Sequence, residues 1–168
     1  DYRLEHRERL KLIALTRSFP NEIVNDDDDH SIPDFWTECS EKNLIQPMRL
    51  LRTEGKRDLY GFCGPVKESE THFIYGIGVL IDEDTDISQL DRLIKEGYGI
   101  WETNPAYYAV FKCFGSDGNC LGETWSKFYK EFVPQTGYTQ TDEIDFEIYF
   151  EKGEKDLFCE LWIPVRKN

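Results

Sequence analysis

Apolar positions alternate in short runs along the chain, then switch to helical spacing, and the chain does this twice. Residues 10–19 (LKLIALTRSF) read as a strand. Residues 21–30 are polar. Ser31-Ile32-Pro33-Asp34 then gives a helix start, with Ser31 as the N-cap and Pro33 and Asp34 in the first turn. Ile32, Phe35, Trp36 and Cys39 continue that helix to about residue 43. Residues 58–66 and 71–82 read as two strands joined by a turn at 67–70, and residues 86–96 as a short helix with Leu90, Leu93 and Ile94 inward. Then the order restarts. Residues 106–114 (AYYAVFKCF) read as a strand and residues 120–132 as a helix striped by Leu121, Trp125, Phe128 and Phe132. Residues 145–150 and 157–165 read as two further strands. Residues 1–9 (DYRLEHRER) are charged and read as a frayed lead-in.

The expectation is an α+β domain over residues 1–168, built from two tandem β-α-β-β units at about 10–82 and 106–165. This is a duplication with a period too long for a solenoid. At 168 residues, 39% hydrophobic and 32% charged, the chain has the composition of one globular domain. Its 33 acidic against 20 basic residues leave a net charge of −13. That balance argues against gripping a phosphate backbone and favours cations. Five cysteines, an odd count with no Cys-x-x-Cys, read as reduced thiols. With no apolar run of membrane length and no signal peptide, a cytoplasmic protein is expected, with no membrane contact. The chain opens on Asp1 rather than Met, which reads as a fragment or a trimmed chain from which a partner domain could be missing.

The last hairpin carries the candidate chemistry. A two-residue type II′ turn at Gly153-Glu154 would set Glu147 opposite Glu160 and Tyr149 opposite Phe158. Glu147, Tyr149, Glu160 and Trp162 then share one face. Phe146, Ile148, Phe150, Cys159, Leu161 and Ile163 share the other, which should pack on the helices. Paired carboxylates cost up to ~1 kcal/mol on adjacent strands. A bound cation would offset this, since carboxylates supply charge and aromatic faces attract cations. A solvated face with Lys or Arg neighbours is the competing reading. By the duplication Tyr60 and Tyr75 take the positions of Glu147 and Glu160, which sets a tyrosine wall against an acidic one. Trp36 and Trp125 lie on apolar helix stripes and are core residues by default; one of Tyr107 and Tyr108 is free to line the groove.

Other chemistry finds no support. His6, His30 and His72 lack metal-ligand spacing. Asp26–Asp29 read as a solvated loop without the spaced ligands of a calcium site. Gly76-Ile77-Gly78 lies within a strand. There is no nucleophile elbow. Neither metal nor cofactor is expected.

Four motifs in order carry a family likeness: Ile32-Pro33-x-x-Trp36, Pro105-Ala106-Tyr107-Tyr108-Ala109-Val110-Phe111, Asp145-Phe146-Glu147-x-Tyr149 and Trp162-Ile163-Pro164-Val165. From about Leu10 to Lys167 the chain resembles the GyrI-like effector-binding domain, the ligand-sensing part of bacterial AraC-type and MerR-type transcription regulators. The resemblance implies tandem SHS2-type modules with a central pocket, which in multidrug-sensing members binds lipophilic cations; no catalysis is expected, because neither Glu147 nor Glu160 has an evident partner acid or nucleophile. The resemblance puts Glu147 in the place of the family's central glutamate, Glu160 and Trp162 in those of its acidic and aromatic companions, and Tyr60 and Tyr75 in that of the first repeat's aromatic share. On the residues' own pattern, Tyr149, Trp36 and Tyr108 join the expected ligand-binding set. DNA would be reached only through a separate helix-turn-helix domain. A free-standing binder of a drug or protein, and a hydrolase of reactive small molecules in which Glu147 or Glu160 activates water, are the alternatives.

Overall fold

A computed structural model describes residues 1–65 and 70–168, Pro65 by its backbone alone. Nine strands form one antiparallel sheet: β1 (Arg3–Arg7), β2 (Lys11–Pro20), β3 (Leu59–Pro65), β4 (His72–Leu80), β5 (Gly99–Glu102), β6 (Ala106–Phe114), β7 (Tyr138–Gln140), β8 (Asp145–Tyr149) and β9 (Leu157–Lys167). Their spatial order is β1-β6-β9-β8-β3-β4-β2-β5, with β7 on the end of β9. The helices are α1 (Ser31–Glu41), α2 (Gln46–Arg49), α3 (Ile87–Lys95), α4 (Asn119–Lys127) and α5 (Val133–Thr136), the last two joined by a π turn at Phe128–Phe132. The architecture is α+β. Residue 66 of the expected strand and residues 67–69 of the expected turn lie outside the described residues.

All the helices lie on one face of the sheet. On one flank α1, α2 and α3 cover Ile13, Tyr75, Ile77 and Val79; on the other, α4 and the π turn cover Ala109, Cys159, Leu161 and Ile163. The opposite face holds its own core of Leu12, Tyr60, Phe62, Tyr108, Val110, Phe146, Ile148 and Trp162, with no helical residue in it. It is closed by the sheet itself. The Phe62 and Trp101 rings lie 5.4 Å apart, although β4 and β2 separate their strands, a span of about 14 Å in a flat sheet. Gly76 makes this curl feasible, because a Cβ there would stand 2.2 Å from the Phe62 ring.

Four expectations are corrected. Residues 3–7 are not frayed: they form β1, paired with β6 from Arg3↔Val110 to Arg7↔Ala106. Ser31 is the first helical residue rather than the cap, and the Asp29 carboxylate accepts its N–H at 2.8 Å. Ile94 is 40% exposed, because α3 turns only Leu93 fully inward. Phe146 and Ile148 are buried as expected, but on the face away from the helices.

Ile148 sits opposite Tyr60 on β3 and is 3% exposed. Ile148→Ala should therefore cost about 2–5 kcal/mol in urea unfolding, as a core truncation that leaves a cavity. A loss below about 0.5 kcal/mol would mean that this helix-free face is not a packed core.

Candidate functional site

The flanks join where β3 meets β8, in the register Leu59↔Tyr149, Gly61↔Glu147 and Cys63↔Asp145. Because strand side chains alternate, Asp145, Glu147 and Tyr149 all point to the helix side. There they lie in a cleft beneath α1, against Trp36 and Tyr75. Trp36, one residue off the buried Phe35–Cys39 stripe, leans from α1 over this cleft and meets the Tyr149 ring edge-on at 5.1 Å. Tyr75 reaches it from β4.

These side chains form a directed hydrogen-bond chain ending on Glu147. Trp36 Nε1 donates to Tyr75 Oη at 2.9 Å, and Tyr75 Oη donates to Glu147 Oε1 at 2.9 Å. Tyr149 Oη donates to the same oxygen at 2.8 Å. An indole N–H can only donate, so the Tyr75 proton is left for the carboxylate. Gly61 provides the floor: a Cβ there would lie 2.2 Å from Tyr75 Oη and 2.8 Å from Glu147 Oε1.

Glu147 is 7% exposed. Burial pushes its carboxyl up to about 7, against the two tyrosine hydrogen bonds that favour the ionised form. Burial and the Glu147 charge push neighbouring Asp145 up to about 8. The Tyr75 and Tyr149 phenols are held well above their usual range, by burial first and the same charge second. Among the described residues, no Lys or Arg forms an ion pair with Glu147 or Asp145. Trp36 and Leu59 also line an open surface recess of about 610 Å³, edged by Ser40, Ile45, Gln46 and Arg49.

The expected site residues divide between the two faces. Glu147, Tyr149, Tyr75 and Trp36 meet here. Glu160, Trp162, Tyr60 and Tyr108 lie on the other face. The expected hairpin register is wrong by one residue: β8 and β9 pair as Phe146↔Trp162, Glu147↔Leu161 and Ile148↔Glu160. The turn holds an odd number of residues, with Asp156 at φ 63°. A one-residue slip sends every side chain of one strand to the opposite face. The expected pairing of Glu147 with Glu160 is thereby lost.

Glu160 has a basic partner instead. Arg3 donates to it from both terminal nitrogens, at 3.0 and 3.1 Å, and Trp162 Nε1 donates at 3.2 Å. Sequence reading missed Asp145 as a member of the cleft. The signal was its two-residue spacing from Glu147, which puts both on one face of a strand.

A family profile described as "Integron-associated effector binding protein" matches residues 3–165. No curated protein sequence matches the chain. Among solved structures, a protein designated SAV2435, bound to tetraphenylphosphonium, superposes with a TM-score of 0.75 at 20% identity, over 99% of this chain and 94% of that one. A "putative bacterial transcription regulation protein" from Staphylococcus aureus MU50 gives 0.72 at 20% identity, over 100% and 99%. A hydrolase from Listeria innocua gives 0.52 at 10% identity, over 98% and 91%.

Proposed function

The chain belongs to the family of integron-associated effector-binding proteins, and we propose that its effector is a lipophilic organic cation received by Glu147 in the cleft beneath Trp36 of α1. The observation that carries this reading is a buried carboxylate with hydrogen-bond donors but no positive partner among the described residues. Such a charge loses several kcal/mol of hydration. A cation that parts Trp36 from Tyr149 would restore it and gain about 0.5–2 kcal/mol from each ring face. Tetraphenylphosphonium, the ligand of SAV2435, has this chemistry.

The role we infer is regulatory. A bound cation favours one arrangement of the two flanks and shifts the population towards it. DNA would be contacted by a separate helix-turn-helix domain, since a chain of net charge −13 is a poor partner for phosphates. No helix among the described residues is long and apolar enough to cross a membrane. A cytoplasmic setting and binding without catalysis belong to the same proposal. The likeness to a hydrolase makes turnover the competing reading, in which Glu147 would activate water.

Calorimetric titration with tetraphenylphosphonium tests the proposal. Saturable one-to-one binding with the ligand recovered intact supports it; no binding, or consumption of the ligand, contradicts it. The pH dependence gives a second test. The folded protein holds the Glu147 proton up to about pH 7, whereas an unfolded chain releases it near its ordinary value. The group's contribution to stability is therefore fully present at low pH and is lost as pH rises through about 7. Cation binding needs the ionised form. Affinity should rise about tenfold per pH unit below 7 and flatten above it. A constant affinity from pH 5.5 to 8.5 would remove Glu147 from the binding step.

A further inference from the structure

The face opposite the helices carries three aromatic rings around a positive charge supplied by the chain itself. Phe146 and Trp162 stack at 5.4 Å and 16°, and Tyr60 meets Phe146 at 5.7 Å. The Arg7 guanidinium lies 5.0 Å from the Trp162 ring and 5.8 Å from each of Tyr60 and Phe146. Among the described residues its one side-chain hydrogen bond runs from Nη2 to Tyr60 Oη at 3.1 Å. Among the described residues no carboxylate pairs with Arg7, although Glu160 is on the same face, taken by Arg3. Arg7 is held as a guest is held, by ring faces and a phenol oxygen.

The floor and the cover differ in how firmly they are built in. Tyr60, Phe146, Trp162 and Glu160 are at most 6% exposed and sit on central strands. Strand β1, which brings Arg3 and Arg7, pairs along one edge only, and its Arg3 and Glu5 side chains are 41% and 42% exposed. A one-sided, solvated strand opens far more readily than the core beneath it.

We propose that Tyr60, Phe146 and Trp162, with Glu160 beside them and Tyr108 behind, form a second binding site, specific for a planar guanidinium compound and occupied at rest by Arg7 of β1. The site lies across the sheet from Glu147 and is independent of the function proposed above. The three rings select a flat delocalised cation. Glu160 offers the charge once Arg3 withdraws with β1. An external guanidinium compound must displace the strand, so its apparent affinity is reduced by the fraction of molecules in which β1 is open.

The test uses methylguanidinium chloride against sodium chloride at equal ionic strength, observing the four tryptophan indole N–H resonances in wild type, Arg7→Ala and Arg7→Gln. Gln keeps part of the side-chain stem over Trp162 and guards against a loss of fold. The Trp162 resonance should shift saturably in both variants, at a concentration about tenfold or more below that needed in the wild type. Trp36 should stay still. Equal midpoints in variants and wild type would overturn the proposal, as would a Trp162 shift reproduced by sodium chloride or the absence of any shift in the variants.

Discussion

Gly61→Ala should be the most damaging substitution in the cleft, costing about 3–5 kcal/mol of stability and abolishing cation binding. The new methyl carbon would stand 2.2 Å from Tyr75 Oη, 2.8 Å from Glu147 Oε1 and 3.1 Å from Tyr75 Cζ. Tyr75 cannot step aside, because it is 2% exposed and Trp36 donates to it from above. Overpacking of this kind costs about 1–3 kcal/mol. Parting a buried carboxylate from a charge-assisted hydrogen bond adds about 1.5–3 kcal/mol. Gly64→Ala on the same strand is the control. Its Cβ would meet Trp101 at 3.5 Å, an ordinary contact, and the change should lie within about 1 kcal/mol of neutral. Urea midpoints at constant slope give both values. A Gly61→Ala protein as stable as Gly64→Ala would mean that the Tyr75–Glu147 contact is not held in place by the sheet.

Much of the fold was legible because its long elements announce their period. The strands at 106–114 and 157–165 and the helix begun at Ser31 follow from apolar spacing alone. Strand β1 was not legible. Arg3-Leu4-Glu5-His6-Arg7 places charge where a strand would show a buried face, and the distant partners of its arginines are Tyr60 on β3 for Arg7 and Glu160 on β9, 157 residues along the chain, for Arg3. No local window contains both halves of that match. Strands β5 and β7 were missed because four and three residues are too short for a period to show.

The site was half legible for a sharper reason. Glu147, Tyr149, Tyr75 and Trp36 do converge. The grouping of Glu147 with Glu160 rested on the parity of one turn, and Gly153-Glu154 offered a two-residue turn that the chain does not use. The competing reading of that hairpin, basic neighbours for the acids, holds for Glu160 through Arg3. For Glu147 no such neighbour stands among the described residues. The asymmetry between two glutamates on adjacent strands is what separates a structural ion pair from a candidate receptor charge.

Glu147→Gln should weaken a cationic ligand by about 1–3 kcal/mol, roughly five- to 150-fold, the scale of one charge-assisted contact. Gln keeps an oxygen at the Oε1 position to accept from Tyr75 and Tyr149, so the cleft retains its shape. The empty variant should be more stable than the wild type above pH 7, where the wild type carries an uncompensated buried charge. Below about pH 4.5, where both folded and unfolded wild-type chains hold the proton, the difference should disappear.

The most direct measurement is calorimetric titration at pH 8 of tetraphenylphosphonium and of its neutral analogue tetraphenylmethane carrying a solubilising uncharged chain, each against wild type and Glu147→Gln. The mutation should weaken the cation about five- to 150-fold and leave the neutral compound within about twofold. Equal losses for both would mean that the substitution damaged packing, and undiminished cation binding would place the receptor charge somewhere other than Glu147.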